Sequence, residues 1–230
     1  MRFGTSVAVF ALCAVTLSAG ADSPPQGQGP FSAVKAAAAR NQAQLRQYSW
    51  VSTTTVSYNG EVKDTKVEAV SYGPDGQVQK NEISDASAPK PGGIRGEIAA
   101  RKGAEMKDEV ESAAALVHSY VPPAPEKLEA AVAAHNMKLL AAPPGLASLA
   151  FTNYNLPNDA LTLTFAVEPK SIQTVDVSTW LDSPSKPVTL VVQFATLPDG
   201  TDHPATVTLS LPSSNLQIAI ANSNYQRVTH

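Results

Sequence analysis

The sequence predicts an α+β protein in which a strongly curved antiparallel sheet of about nine strands forms an open half-barrel, wrapped around an N-terminal helix and a mid-chain helical insert. Residues 146–225 alternate apolar and polar side chains through six strand-length segments, which is typical of strands with one buried face. Short turns separate these segments, whereas parallel strands need connections of a dozen or more residues. A sheet with one apolar face must be covered, and the helices are the only large apolar partners in the sequence.

The elements before residue 84 follow from local signals. Ser32 can cap a helix that continues to about Tyr48, because apolar residues recur there at helical spacing. Asn59-Gly60 then lies between two β-branched and aromatic runs, which is a strong hairpin signal. The nine predicted strands are 50–58, 61–72, 77–83, 146–156, 161–168, 172–181, 188–197, 205–211 and 216–225.

Residues 1–21 predict a secretory signal peptide. Arg2 precedes an apolar run over 6–17, and small residues lead to a cleavage site after Ala21. The run is shorter than the roughly 20 residues of a membrane-spanning helix. We therefore expect a periplasmic or secreted mature chain without a transmembrane span, and a retained anchor is the alternative.

Composition restricts the class of protein. The 230 residues carry a net charge of -3, and nucleic-acid binding normally requires a basic surface. The 43% apolar content argues against wholesale disorder. Cys13, the single cysteine, lies in the signal peptide, so its removal would exclude disulfides and cysteine-based metal sites.

The mature chain is predicted to form one domain. Residues 22–30 are a Pro/Gly-rich flexible leader, and 31–230 are the domain. Within it, 84–145 form a linker and helical insert, with helices expected over 94–120 and 125–135 because prolines end the first and begin the second.

Several segments resemble one known family. The closing strands of the LolA/LolB lipoprotein-carrier superfamily are similar to residues 175–177 (VDV), 188–190 (VTL), 197–204 (LPDGTDHP) and 222–225 (NSNY). Residues 72–80 (YGPDGQVQK) are similar to uncharacterised secreted bacterial proteins of comparable layout. The resemblance implies a bent antiparallel sheet that wraps helices over an apolar cavity.

The family pattern also differs from this sequence. The charged helix from Glu97 to Glu111 looks like an added element relative to the compact carriers. Family carriers hold an arginine inside the cavity, and Arg40 or Arg46 could correspond to it, although no motif fixes the match.

The resemblance implies a non-enzymatic protein that binds an apolar ligand, such as a lipid, an acyl chain or a lipoprotein, in the concavity of the sheet. Ordinary core without a cavity is the alternative for the residues concerned. The candidate cavity-lining residues are the inward positions of two predicted strands: Leu161, Leu163, Phe165, Val188, Leu190, Val192 and Phe194.

A second class of function stays open, namely a cell-envelope or extracellular protein–protein interaction module without a small-molecule ligand. It would use either the exposed Thr/Ser-rich face of the sheet or a free strand edge, and the Thr-rich strand Trp50–Tyr58 would suit addition to a partner strand.

Catalytic chemistry has little support in the sequence. It contains no nucleophile elbow, phosphate-binding loop, dinucleotide fingerprint or paired-histidine zinc motif, so no enzyme activity, cofactor or metal is expected. Asp202-His203 could bind a metal or act as a base, but one His beside one Asp in a loop is usually turn chemistry. Trp50 and Trp180 are either sugar-stacking residues or core.

Overall fold

The computed structural model describes residues 32–85, 93–168 and 171–228. The predicted signal peptide (1–21), the leader (22–30) and most of the Pro/Gly-rich linker (86–92) lie outside the described residues. In chain order the elements are α1 (Ser32–Leu45), β1 (Tyr48–Tyr58), β2 (Glu61–Tyr72), β3 (Val78–Asp85), α2 (Gly93–His118), α3 (Pro125–Ala133), β4 (Met137–Leu140), β5 (Leu146–Thr152), β6 (Ala160–Ala166), β7 (Ser171–Trp180), β8 (Pro187–Thr196), β9 (Asp202–Leu211), a 3-10 turn (Pro212–Ser214) and β10 (Leu216–Arg227).

The ten strands form one antiparallel sheet in the order β3-β2-β1-β10-β9-β8-β7-β6-β5-β4. The sheet is not closed, and β3 and β4 are its two edge strands. Consecutive strands pair throughout β4–β10, as the short turns predict, and β1 joins this meander by pairing with β10. The sequence therefore predicts the α+β class and the antiparallel pairing correctly.

The number of strands and the end of the first helix differ from the prediction. The described residues contain ten strands rather than about nine, because the predicted insert 84–145 includes β4 as well as two helices. Four residues are too few to show an alternation, so β4 has no periodic signal. The first helix ends at Leu45 instead of Tyr48, and Tyr48 begins β1 with its ring buried.

The predicted hairpin between β1 and β2 is confirmed. Tyr58 pairs with Glu61, and Asn59 and Gly60 between them have φ of 53° and 77°. Positive φ at both central positions is the requirement of a type I′ turn, and Asn and Gly are the residues that tolerate it.

The largest core lies on one face of the sheet and is here called the main core. It combines the inward side chains of β5–β10 with residues of α2 and α3 in a single cluster. Val117 of α2 and Leu190 of β8 are both fully buried there. Because burying a large aliphatic side chain stabilises a protein by about 1.5–3 kcal/mol, this cluster is the main source of stability.

A buried carboxylate fastens the end of α2 to the sheet. Asp159 accepts hydrogen bonds from the Tyr120 hydroxyl at 2.5 Å and from the backbone N–H groups of Tyr154, Asn155 and Leu156 at 2.6–2.8 Å. The Tyr120 hydroxyl also lies 2.7 Å from that of Thr179 on β7. Burial raises the pKa of Tyr120, so its hydroxyl keeps its proton and stays a donor.

Candidate functional site

Five rings gather at the end of the sheet where β1 begins and β10 ends. We call Tyr48, Trp50, Tyr72, His203 and Tyr225 the aromatic cluster. Trp50 stacks on Tyr225 with centroids 5.5 Å apart and 12° between planes, and Tyr72 lies 5.7 Å from Trp50. Tyr225 also contacts His203 at 4.0 Å and Tyr48 at 6.5 Å. This second core is separate from the main core, since neither Tyr48 nor Trp50 belongs to the latter.

Alternation along β1 and a bulge in β10 bring these rings together. Tyr48, Trp50 and Ser52 alternate to the buried face, and Val56 on the same side packs against the main core. The register advances by two residues in β1 and three in β10 between the pairs Ser49–Gln226 and Val51–Ser223. The bulge includes Asn224 with φ of 54°, and it places an extra residue opposite Trp50.

Several buried polar atoms of this region lack a hydrogen-bond partner among the described residues. They are Trp50 Nε1, Ser52 Oγ, His203 Nδ1 and Asn222 Oδ1. Ser52 is 0% exposed, and both Trp50 and His203 are 6% exposed. Leaving such an atom unpaired costs about 1–3 kcal/mol, so a concentration of them indicates a place built for more than packing.

A group of ionised side chains continues the buried face onto β2 and β3. Glu68, only 5% exposed, lies opposite Ser52 in the ladder. The Lys66 ammonium is 2.7 Å from Glu68 and 3.5 Å from Glu82, and the Lys80 ammonium is 3.9 Å from Glu68. Burial lowers the pKa of Lys80 to about 8; the positive charge of Lys66 adds to this shift, and the Glu68 carboxylate opposes it. Two lysines and two carboxylates leave this ion-pair group without net charge.

Helix α1 is fastened beside the aromatic cluster by one amide. The Asn41 side chain donates to the Asp202 carbonyl at 2.9 Å and accepts from the Asp202 N–H at 2.8 Å. The Thr196 hydroxyl donates to the Asp202 carboxyl at 2.6 Å, and burial raises the pKa of that carboxyl. Because His203 follows directly, this contact holds α1 next to the rings.

The turn between β8 and β9 lies at the same end of the sheet as the aromatic cluster. Asp199 accepts hydrogen bonds from the Tyr48 hydroxyl at 2.7 Å, from Arg227 at 3.0 Å and from the Thr201 N–H at 3.0 Å. Burial opposes its ionisation, but these hydrogen bonds and the Arg227 charge lower the pKa of Asp199 to about 2. The start of β1 and the end of β10 are thereby joined to this turn.

Six of the seven predicted cavity-lining residues lie in the main core, and Phe165 is not part of that cluster. All are buried except Phe165, which is half-buried, and α2 and α3 contribute to the same cluster. Phe194 pairs with Pro204, the residue after His203, and so connects this set to the aromatic cluster. That a ligand contacts these residues stays a prediction; their places in the structure are Leu161, Leu163 and Phe165 on β6 and Val188, Leu190, Val192 and Phe194 on β8.

Other sequence-based candidates have different surroundings from those expected. Asp202 and His203 lie buried in β9 rather than in a turn, because β9 begins three residues before the predicted start at 205. Both Arg40 and Arg46 are exposed. No cluster of three His, Cys, Asp or Glu side chains suited to a metal occurs in the described part of the chain.

The interpretation of Trp50–Tyr58 as a free edge is wrong. β1 is paired on both sides, with β2 and β10, so its backbone groups are already used. Trp50 is core, packed between Tyr72 and Tyr225, whereas half-buried Trp180 donates its indole N–H to the Pro157 carbonyl at 3.3 Å.

The sequence contained one overlooked signal for this site. Ser52 and Asn222 occupy inward positions of strands whose other inward residues are mostly apolar, and polar residues at core positions usually have a specific role. The bulge and the Asn41 contact, in contrast, have no local sequence signature.

Comparisons with known proteins give limited guidance. A crystal structure of a DUF1329 family protein from Desulfovibrio piger is similar over 82% of this chain and 90% of its own, with 12% sequence identity and a TM-score of 0.37. A likeness at that level supports no conclusion about this chain. No protein-family model and no curated protein matches the sequence. None of the described helices is both long enough and apolar enough to cross a membrane.

Proposed function

We propose that this chain is a secreted or periplasmic, non-enzymatic protein that binds an apolar ligand with a polar end: a lipid, an acyl chain or a lipoprotein. The ligand would lie on the buried face of a strongly curved, LolA/LolB-like sheet, between the main core and the aromatic cluster. Phe194 and its neighbours on β6 and β8 would contact the apolar part, and Trp50 and Ser52 the polar end.

The observation that carries this proposal is the set of unpaired polar atoms beside the aromatic cluster. Four such atoms at about 1–3 kcal/mol each are a large cost against a typical stability of 5–15 kcal/mol. A bound polar group removes that cost, and the resulting gain adds to the affinity. The rings around these atoms supply apolar contact surface next to the polar end.

Helix α1 supplies the cover in this proposal. The side-chain hydrogen bonds described between α1 and the sheet are those of Asn41 to the Asp202 backbone. In this proposal the ligand enters and leaves when α1 separates from β9, which breaks the hydrogen bonds of Asn41 and uncovers buried Leu45.

Native mass spectrometry, paired with organic extraction of protein purified from a periplasm without detergent, tests the proposal. We expect a bound acyl or lipid species that is lost in Phe165→Lys and kept in Val167→Lys, the matched control at an exposed position nearby. Both variants must give the circular dichroism spectrum of the parent. An apo mass that does not shift when monoacylglycerols, fatty acids or lipopeptides are added would overturn the carrier function.

The second candidate, an envelope protein–protein interaction module, is favoured by the edge strand β4. Met137, Leu139 and Leu140 are all exposed there, and Leu139 is 73% exposed. Exposed apolar edge strands are suited to pairing with a strand of another protein. Site-specific crosslinking from position 139 in living cells, compared with position 167, would reveal such a partner, and absence of a product specific to 139 would remove this candidate.

A further inference from the structure

The unpaired atoms beside the aromatic cluster differ in what they can bind. An indole N–H such as Trp50 Nε1 only donates, an amide oxygen such as Asn222 Oδ1 only accepts, and a hydroxyl such as Ser52 Oγ does either. A group that satisfies all three must therefore carry both a hydrogen-bond acceptor and a hydrogen-bond donor.

The orientation of Asn222 is fixed by its other hydrogen bond. Its Nδ2 donates to the Pro204 carbonyl at 3.0 Å, and a carbonyl accepts only from the amide nitrogen, so the oxygen is the atom left to bind. Asn222 lies directly opposite Ser52, at the roughly 4.5–5.5 Å Cβ separation of paired residues. Trp50 is two residues before Ser52 on the same face, so the three side chains are neighbours on that face of the sheet.

The neighbouring charges do not favour an anion. The ion-pair group next to Ser52 has two lysines compensated by Glu68 and Glu82. Glu68 is the member opposite Ser52, and a carboxylate or phosphate placed there would meet both its negative charge and the lone pairs of Asn222 Oδ1. An uncharged polar group that carries a donor avoids the repulsion by both Glu68 and Asn222 Oδ1.

We propose that Trp50 Nε1, Ser52 Oγ and Asn222 Oδ1 form a polar subsite for an uncharged hydroxyl- or amide-bearing head group of an amphiphile. This inference rests on the proposed function and adds the chemistry of the ligand's polar end. Acylglycerols and N-acyl amides belong to the accepted class, and free fatty acids do not.

Two probes with the same acyl chain separate the charged from the uncharged head group. Trp50 and Trp180 are the two tryptophans of the chain, so Trp180→Phe leaves Trp50 as a reporter within the subsite. Its fluorescence is followed as monooleoylglycerol or oleate is added below the aggregation concentration of each. We expect monooleoylglycerol to bind at least tenfold more tightly than oleate at pH 7.4.

Ser52→Ala, made in the same background, tests the subsite itself. Its matched control is Ser223→Ala, an exposed serine on the neighbouring strand. We expect Ser52→Ala to weaken monooleoylglycerol binding at least fivefold and oleate binding less than twofold, and Ser223→Ala to change neither.

The ligand-free proteins provide a second measurement. Deleting a buried hydroxyl that has no partner removes its cost, so Ser52→Ala should raise the Tm of the ligand-free protein. A fall in Tm would mean that an ordered water already satisfies Ser52, and it would overturn the subsite.

Different results would contradict the proposed function and the polar subsite. If neither probe binds and extraction yields no ligand, the proposed function and the subsite both fail. If amphiphiles bind but oleate binds as tightly as monooleoylglycerol, or Ser52→Ala behaves like Ser223→Ala, the subsite alone is wrong.

Discussion

Two regions of the sheet, β5–β10 and β1–β2, bury the same face with different kinds of side chain. From β5 to β10, aliphatic side chains pack against α2 and α3 in the main core, and Asp159 accepts a hydrogen bond from Tyr120, just after α2. Around β1 and β2, aromatic rings, ionised side chains and unpaired polar atoms occupy the same face, and the Asn41 amide of α1 hydrogen-bonds to β9. The first region is built for stability, whereas the second keeps an energetic cost that, in the proposed function, a ligand would remove.

The largest expected effect comes from the main core. Leu190 is 0% exposed on β8, and Leu190→Ala should lower the free energy of unfolding by about 2–5 kcal/mol because it leaves a cavity among packed side chains. Urea denaturation measures it. The control Leu139→Ala, at an exposed position, should stay within about 0.5 kcal/mol. Equal effects of the two changes would contradict the division into a packed core and an exposed edge.

The next effect tests the buried carboxylate of the main core. Tyr120→Phe removes the hydroxyl that donates to Asp159, and a hydrogen bond to a charged group contributes about 1.5–3 kcal/mol. We expect a loss of that size in chemical denaturation. Tyr58→Phe, at a half-buried position at the end of β1, is the matched control. An unchanged stability in Tyr120→Phe would show that Asp159 does not depend on this donor.

Helix α1 should respond to a single change. Asn41→Ala removes both hydrogen bonds to the Asp202 backbone, each contributing about 0.5–1.5 kcal/mol. Hydrogen exchange read by mass spectrometry should speed up in residues 39–45 while the main core is unaffected. Gln44→Ala, at an exposed position of the same helix, should leave exchange as it was. Faster exchange throughout the sheet would mean that α1 is part of one cooperative unit.

The smallest effect concerns Asp199. Its pKa is lowered in the folded protein, so its contribution to stability is complete above the unfolded value near 4 and is lost as pH falls towards 2. The advantage of the parent over Asp199→Asn should therefore decline between pH 4 and pH 2. The partly exposed ion pair with Arg227 limits it to less than about 1 kcal/mol. Thermal melts across this range measure it, and a difference constant down to pH 2 would contradict the shift.

Sequence periodicity predicted the main core better than the aromatic cluster, for a physical reason. Alternation and turn residues are local, so the strands from β5 to β10 and the Asn59-Gly60 hairpin could be placed in advance. The contact of Tyr225 with Trp50 depends on a bulge and on pairing between strands about 170 residues apart, which no local pattern encodes. Six of the seven candidate lining residues are buried, and a role for them in binding stays a prediction. The pairing of Ser52 with Asn222 depends on the same distant contact between β1 and β10, so no local pattern indicates it.

The pairing of β1 with β10 has a consequence for how the protein folds. β1, β2 and β3 are made first, yet their partner in the rest of the sheet is the last strand of the chain. Loop closure over such a separation gives the fold a high contact order and a slow final step. We therefore expect the hairpins of β1–β3 to form before their partner strand is available. The edge of β1 then stays unpaired and prone to aggregation until residues 216–227 pair with it.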